Sequence, residues 1–375
     1  MTKLGTPVTA ALIAGSALGN AGGAVMPVLL DGYARRFGLD ATDAGLVAVA
    51  QLLATALCTL LLASRASRPG RVRMARLGLV IAAGGLLGAA VAPDFGLLIA
   101  SNLLAGAGLG AVFAASTAAL ASTGDTDKAS TVTVVGSVLA IGLLLVGLPM
   151  ADEWAEGGGF VLLAVCCFAA FPLVGGLPEN TVEQHGPGMK TVAPGIVLLA
   201  AVATLSATDQ GAWSYTAVFG KDNAQLSSSA VSTVLAIATV CALAGVVFAS
   251  WAGKRWGRGR ALAVFVMAGA VAKLVVSSSD SAVGYSIAAV VWQMCQLAIL
   301  MFLLATAAEL DPSGRLVASL SGAVAMGAGL GPLGVGAVLD ATSASVAGAV
   351  LAVLTVVAAA PLIGLTRRSP VAVES

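Results

Sequence analysis

Twelve apolar stretches, each about as long as a bilayer is thick, run nearly back to back along this chain and leave little room for anything else. A helix needs ~20 residues to cross the hydrocarbon core. In the first half the stretches are 7–30, 44–63, 74–92, 95–121, 131–150 and 158–177; in the second they are 193–217, 227–250, 261–279, 281–308, 316–339 and 344–365. They are continuously apolar, unlike the short alternating strands of a membrane barrel. In lipid every backbone polar group must find an internal partner, and a helix supplies those partners by itself. The expectation is an all-α membrane protein of twelve transmembrane helices in two six-helix bundles. Residues 1–177 form the first bundle, 178–192 a central linker, and 193–375 the second bundle.

Composition removes the alternatives. Of 375 residues 58% are hydrophobic and 10% charged, with a mean hydropathy of +0.98, whereas a soluble domain carries about 25% charged residues. The net charge of +1 gives no basic field for nucleic acid. His185, the one histidine, lies in the polar linker, and Cys58, Cys166, Cys167, Cys241 and Cys295 all lie in apolar stretches without metal-ligand spacing. No metal or cofactor is expected. The first stretch, Pro7 to Leu30, is too long for the apolar core of a signal peptide. A lone loop histidine and a lone intramembrane acid do not make a catalytic set, so the chain reads as a non-enzyme. No G-x-x-x-x-G-K-[ST] run is present, so ATP is not expected as a direct energy source.

Charge placement gives orientation. With the N-terminus inside, the inner segments carry 15 Lys and Arg, the outer loops carry 3 (Arg35, Arg36 and Lys221), and Lys273 falls within a span. The positive-inside rule then puts both termini in the cytoplasm of a multi-pass protein of the cell's inner (plasma) membrane.

The basic segments also reveal a repeat. The loop after span 2 reads Arg68-Pro69-Gly70-Arg71-Val72-Arg73, and the loop after span 8 reads Arg255-Trp256-Gly257-Arg258-Gly259-Arg260. Both are R-x-G-R-x-R, and they stand half the chain apart. An acidic turn follows two spans later in each half: Asp125-Thr126-Asp127, then Glu309-Leu310-Asp311. Glycine permits the tight reversal, and arginine at a helix C-terminus complements the helix dipole. Bridges from Arg68, Arg71, Arg255 and Arg258 to Asp125, Asp127, Glu309 and Asp311 are expected to hold one face shut and break when it opens. The other reading is that they are topology signals and headgroup anchors.

These loops resemble the G-x-x-x-D-[RK]-x-G-[RK]-[RK] motif of the major facilitator superfamily. Taken with twelve spans, a central linker and the six-plus-six repeat, the resemblance covers nearly the whole chain. The motif's Asp is Ser67 in the first half and Lys254 in the second, and its leading Gly is Ala63. Asn102 stands in span 4 where members that couple to protons carry an arginine. The resemblance implies a monomeric secondary transporter working by alternating access in contact with membrane lipids, with spans 1, 4, 7 and 10 around a central cavity. Likeness to compact drug-exporter-like members implies efflux.

Polar residues inside spans are costly and mark function. Asp209 sits in span 7 within Thr208-Asp209-Gln210-Gly211-Ala212-Trp213-Ser214-Tyr215. The offset that carries Arg68 onto Arg255 puts Asp209 opposite position 22, beside Asn20. Span 2 offers Gln51, span 4 Asn102, and span 10 Trp292, Gln293 and Gln296. The expected solute site is therefore Asn20, Gln51, Asn102, Asp209, Gln210, Trp213, Trp292, Gln293 and Gln296, with Asp209 also the proton carrier. Amides as interhelical hydrogen-bonding groups, and the two tryptophans as packing, are the competing readings. Lys273 is expected to snorkel to the outer interface. Such a cavity suits a neutral or cationic small organic solute. A facilitative uniporter or importer and a lipid translocator are the alternatives to proton-coupled export.

Overall fold

The computed structural model describes residues 5–181, 193–310 and 315–368. The first half consists of α1 (Thr6–Ala24), α2 (Met26–Phe37), α3 (Ala41–Ala66), α4 (Arg71–Ala90), α5 (Phe95–Ala121), α6 (Thr126–Trp154) and α7 (Gly158–Leu173), followed by a 3₁₀ turn at Val174–Gly176. The second consists of α8 (Ala193–Ser214), α9 (Thr216–Asp222), α10 (Ser228–Trp256), α11 (Arg258–Ser278), α12 (Ala282–Leu310), α13 (Arg315–Ala341) and α14 (Ala344–Arg368). No strand occurs among the described residues. Eleven helices are long and apolar enough to span a membrane, and α1 with α2, bent by 47°, supplies the twelfth span.

The expected segments recur with their ends shifted by a few residues in either direction, and polar caps set several of the starts. Asp40, Asp94 and Ser227 accept from the backbone N–H of Asp43, Leu97 and Ala230 and start α3, α5 and α10. Such caps satisfy donors that the first helical turn leaves free. The first span departs most: it continues to Phe37, so Arg35 and Arg36 belong to the last turn of α2 rather than to a loop. Its break falls at Val25, just before Met26 and Pro27; a proline has no N–H for the carbonyl four residues back, and its ring crowds that carbonyl. The seventh span breaks likewise, at Tyr215. The two break residues have φ −95°, ψ 3° and φ −101°, ψ 4°. The interval from Val25 to Tyr215 carries Asn20 onto Gln210 at this depth.

Within the halves, α5 packs on α1, α3 and α4, α13 on α8, α12 on α10 and α11, and α14 on α8 and α11. Across the halves, α3 lies antiparallel to α13, and α6 packs on α10. A Cβ on Gly45 of α3 would strike the Pro332 carbonyl and the Tyr215 hydroxyl, so only glycine permits that approach.

One end of the bundle carries the α3–α4 and α10–α11 turns with their arginines; we call it the basic end and the opposite one the far end. One buried core takes in most of the first half and continues across the far end through Trp213, Tyr215, Phe219, Val231, Leu235 and Val335. A separate core, from Leu198 to Leu362, serves the second half toward the basic end. The buried core is thus shared between the halves at the far end, while toward the basic end the second half has a core of its own.

Candidate functional site

Asp209 projects from α8 near the break at Tyr215. Its Oδ1 lies 2.6 Å from Lys273 Nζ on α11 and accepts from Trp292 Nε1 on α12 at 3.2 Å. Lys273 also donates to Thr355 Oγ1 on α14 at 2.8 Å and to Thr208 Oγ1 at 3.3 Å. An ammonium has three protons to donate, and three oxygens surround this one. The lysine side chain is 1% exposed and the aspartate side chain 14%. Asp209 Oδ2 has no partner among the described residues. Lys273 is therefore buried in a second-half cluster and does not snorkel: its stem is enclosed between α8, α12 and α14, and the acid that would otherwise stand unpaired holds its head. The sequence held the signal, two opposite charges within spans of one half, but spacing along the chain cannot show that they meet.

Trp213 and Trp292 meet edge to face, with centroids 6.1 Å apart. Both are buried, so neither presents an open stacking face. Trp213 Nε1 donates to Ala24 O at 3.0 Å, and Gln210 Nε2 donates to Gly23 O at 3.1 Å. These contacts satisfy carbonyls at the end of α1, where the helix break leaves them without helical donors. Gln293 and Gln296 are half-buried and have no side-chain partner among the described residues. Asn20 is exposed at mid-span and bonds only its own helix, at Ser16 O.

Gln51 and Asn102 lie apart from this group. Asn102 Oδ1 accepts from the Tyr33 hydroxyl at 2.7 Å, and Gln51 Oε1 lies 3.5 Å from the same hydroxyl. Both amides are buried, and Tyr33 stacks on Phe160. The structure thus unites Asp209, Gln210, Trp213 and Trp292, leaves Asn20, Gln293 and Gln296 without a bond to another helix among the described residues, and places Gln51 and Asn102 in a closed first-half network. Tyr33 was missed because it lies beyond the apolar window assigned to span 1.

At the far end the halves are tied directly. Asp340 of α13 caps α3 by accepting from Ala41 N, Thr42 N and Thr42 Oγ1. The Tyr215 hydroxyl donates to Ala41 O at 2.5 Å and lies 3.2 Å from Pro332 O. Lys221 and Arg35 both pair with Asp31, at 2.8 and 3.0 Å. A cavity of about 390 Å³ lies here, lined by Asp31, Arg36, Asp152, Glu153 and Lys221 among others, and none of the nine expected solute-site residues lines it.

The basic end is built differently. Gly70 (φ +102°, ψ 10°) and Gly257 (φ +80°, ψ 149°) both take a positive φ that favours glycine, but their ψ angles differ, so the matched motifs form two different glycine turns. Buried Arg71 donates to Ala118 O, Ser122 Oγ, Pro178 O and Asn180 O. Glu179 accepts from Gly70 N and Val72 N at the start of α4. Its burial works to raise its pKa, but the backbone N–H groups of Gly70, Val72 and Arg71 and the Arg71 guanidinium together hold it below the usual glutamate value. Ser67, standing where the motif has Asp, bonds back to Ala63 O. Among the described residues no ion pair joins Arg68 or Arg71 to Asp125 or Asp127; Asp125 instead caps α6. Arg255 is exposed. The Glu309 side chain and all of Asp311 lie outside the described residues.

Comparison with known proteins agrees with this geometry. A bacterial homologue of the human lysosomal transporter Spinster, solved inward-facing and unoccupied, superposes with a TM-score of 0.75 at 17% identity, covering 96% of each chain. A point mutant of the nucleoside transporter NupG gives a TM-score of 0.78 at 14% identity over 96% of this chain and 99% of that one. NupG itself gives 0.72 at 14% over 98% and 100%. No curated protein matches the chain. The family model for the Major Facilitator Superfamily matches residues 11–309. With that match and the twelve-span, two-bundle fold, the chain belongs to the major facilitator superfamily.

Proposed function

We propose that this protein is a monomeric secondary transporter that carries a small organic solute across the inner membrane by alternating access, with both termini cytoplasmic. The observation that carries the reading is the set of polar side chains inside spans that are not fully buried: Asp209, held by Lys273 and Trp292, and Asn20, Gln293 and Gln296, none of which bonds to another helix among the described residues. Lipid-facing helices do not carry such groups. The halves, 1–177 and 193–375, rock about this site. Their shared core at the far end supports a rocking motion hinged on that end.

In the leading version a proton on Asp209 drives export. The test is uptake and efflux of labelled neutral solutes in proteoliposomes, with and without an imposed pH gradient, for wild type and Asp209→Asn. Gradient-driven accumulation that the variant loses while still equilibrating solute supports the coupling; indifference to both gradient and substitution removes it. Facilitated diffusion is the second reading. Lys273 favours it, because a built-in counter-ion 2.6 Å from Asp209 neutralises the acid without a proton. Uridine belongs in the solute panel because one structural neighbour is a nucleoside transporter and the molecule is uncharged, with several hydroxyl donors.

A further inference from the structure

We infer that Lys273 is a positioning residue that sets the charge class of the solute: by pairing with Asp209 it makes the site electrically neutral and selects uncharged molecules bearing N–H or O–H donors. This rests on the reading above that the solute sits beside Asp209.

Four features of the structure carry it. Lys273 comes from α11, and its head is enclosed by Asp209, Thr208 and Thr355 with the side chain 1% exposed. It does not reach the solute; it acts through Asp209. Next, it binds Oδ1, the atom that Trp292 also holds, in an aspartate side chain that keeps 14% exposure, and no hydrogen bond to Oδ2 occurs among the described residues. Third, among the described residues Asp209 and Lys273 are the only ion pair at this depth; the other charges in contact between the halves, Asp31, Lys221 and Asp340, lie at the far end. Finally, the half-buried amides of Gln293 and Gln296 are neutral donors and acceptors without partners among the described residues.

The consequence follows from desolvation. A charged solute loses its hydration on entering the bundle and needs an opposite uncompensated charge to offset the loss. Here the aspartate charge is already matched, so neither a cation nor an anion is rewarded. An uncharged donor loses less and gains a hydrogen bond to a carboxylate oxygen, which is stronger than one to a neutral acceptor.

The test reads the charge of the site without requiring the natural solute. In full-length protein with its five cysteines replaced, Asn20→Cys or Gln296→Cys is labelled with thiosulfonates of equal size, one cationic and one anionic. Rates are normalised to the same reagents on a free thiol. With Lys273 and Asp209 both in place the normalised rates are expected to be equal. Lys273→Met should shift the ratio about fivefold toward the cation, and Asp209→Asn about fivefold toward the anion, as one unit charge across several ångströms at the edge of the bundle dictates. The double variant Asp209→Asn/Lys273→Met should return to equality, and it keeps the test alive if Lys273→Met fails to fold, because Asp209→Asn alone must still shift toward the anion. A purely structural lysine would give no opposite shifts and no restoration. Unchanged ratios in the single variants overturn the proposal. A cysteine at neither position reacting with either reagent overturns it together with the central solute site, and so is distinguishable from failure of the charge argument alone.

Discussion

Each half of this protein buries a polar cluster, and the two are built on different chemistry. In the first half Tyr33, Gln51 and Asn102 form a neutral network joining α2, α3 and α5. In the second Asp209, Lys273, Trp292 and Thr355 form a charged one joining α8, α11, α12 and α14. The interval from Asn102 to Trp292 equals that between the helix breaks at Val25 and Tyr215, so the clusters grow from corresponding points of the repeat. Their exposures differ: Gln51 and Asn102 are closed off, whereas the Asp209 side chain keeps 14% exposure. The fold has thus kept a polar group at the matching place twice, once as interhelical bonding and once with an acceptor to spare. Chemistry at the site is therefore expected to be asymmetric even though the scaffold is symmetric.

That contrast can be broken most sharply at Lys273. Removing one member of a buried ion pair leaves a bare charge and costs about 3–5 kcal/mol. Lys273→Ala should therefore lower the thermal unfolding midpoint in detergent well below that of Asp209→Asn/Lys273→Met, which removes both charges together. A single variant as stable as the double would mean that the pair is hydrated in solution. Tyr33→Phe comes next. It strips the donor from Asn102 Oδ1 and should cost about 1–3 kcal/mol, less than Lys273→Ala; equal losses would show that charge is not what separates the clusters. Combining it with Gln51→Leu and Asn102→Leu should recover part of the loss, since no unpaired polar atom remains.

The ties between the halves give a smaller effect. Trp213→Phe removes the donor to Ala24 O and should cost about 0.5–1.5 kcal/mol, and it should raise the population open at the far end, read by electron-spin distances between labels on α2 and α9. The least effect is expected at Glu179, which is exposed. Its pKa is held down in the folded protein, so its contribution is complete above the ordinary glutamate range and is lost as pH falls through its lowered value. Amide exchange at Gly70 and Val72, corrected for the intrinsic pH dependence, should lose protection only in that acid window, and Glu179→Gln should abolish the pH dependence.

Most of the scaffold was readable from the sequence because lipid imposes a long apolar run on every span, and the positions of those runs survive in the structure to within a few residues. The first span was cut short because hydropathy falls where Asp31, Arg35 and Arg36 enter α2, although the helix goes on. The site was readable as composition but not as pairing. Asp209 stood out as an intramembrane acid, yet its partner lies three helices further along the chain, on one that the family resemblance does not place at the cavity. The same limit applies to Glu179. A motif lacking its acid at position 67 looks weakened, and only the fold brings an acid from the central linker to the neighbouring turn.

The grip of Arg71 on the carbonyls of Pro178 and Asn180 has one more consequence, concerning length. The covalent leash between the halves does not start where the last span of the first half ends; it starts at the clamp. Only the stretch 181–192 remains between it and α8, and a dozen residues reach at most about 40 Å when fully drawn out. In the proposed rocking motion that tether is the ceiling on how far the basic ends can part, and shortening it residue by residue would measure the motion.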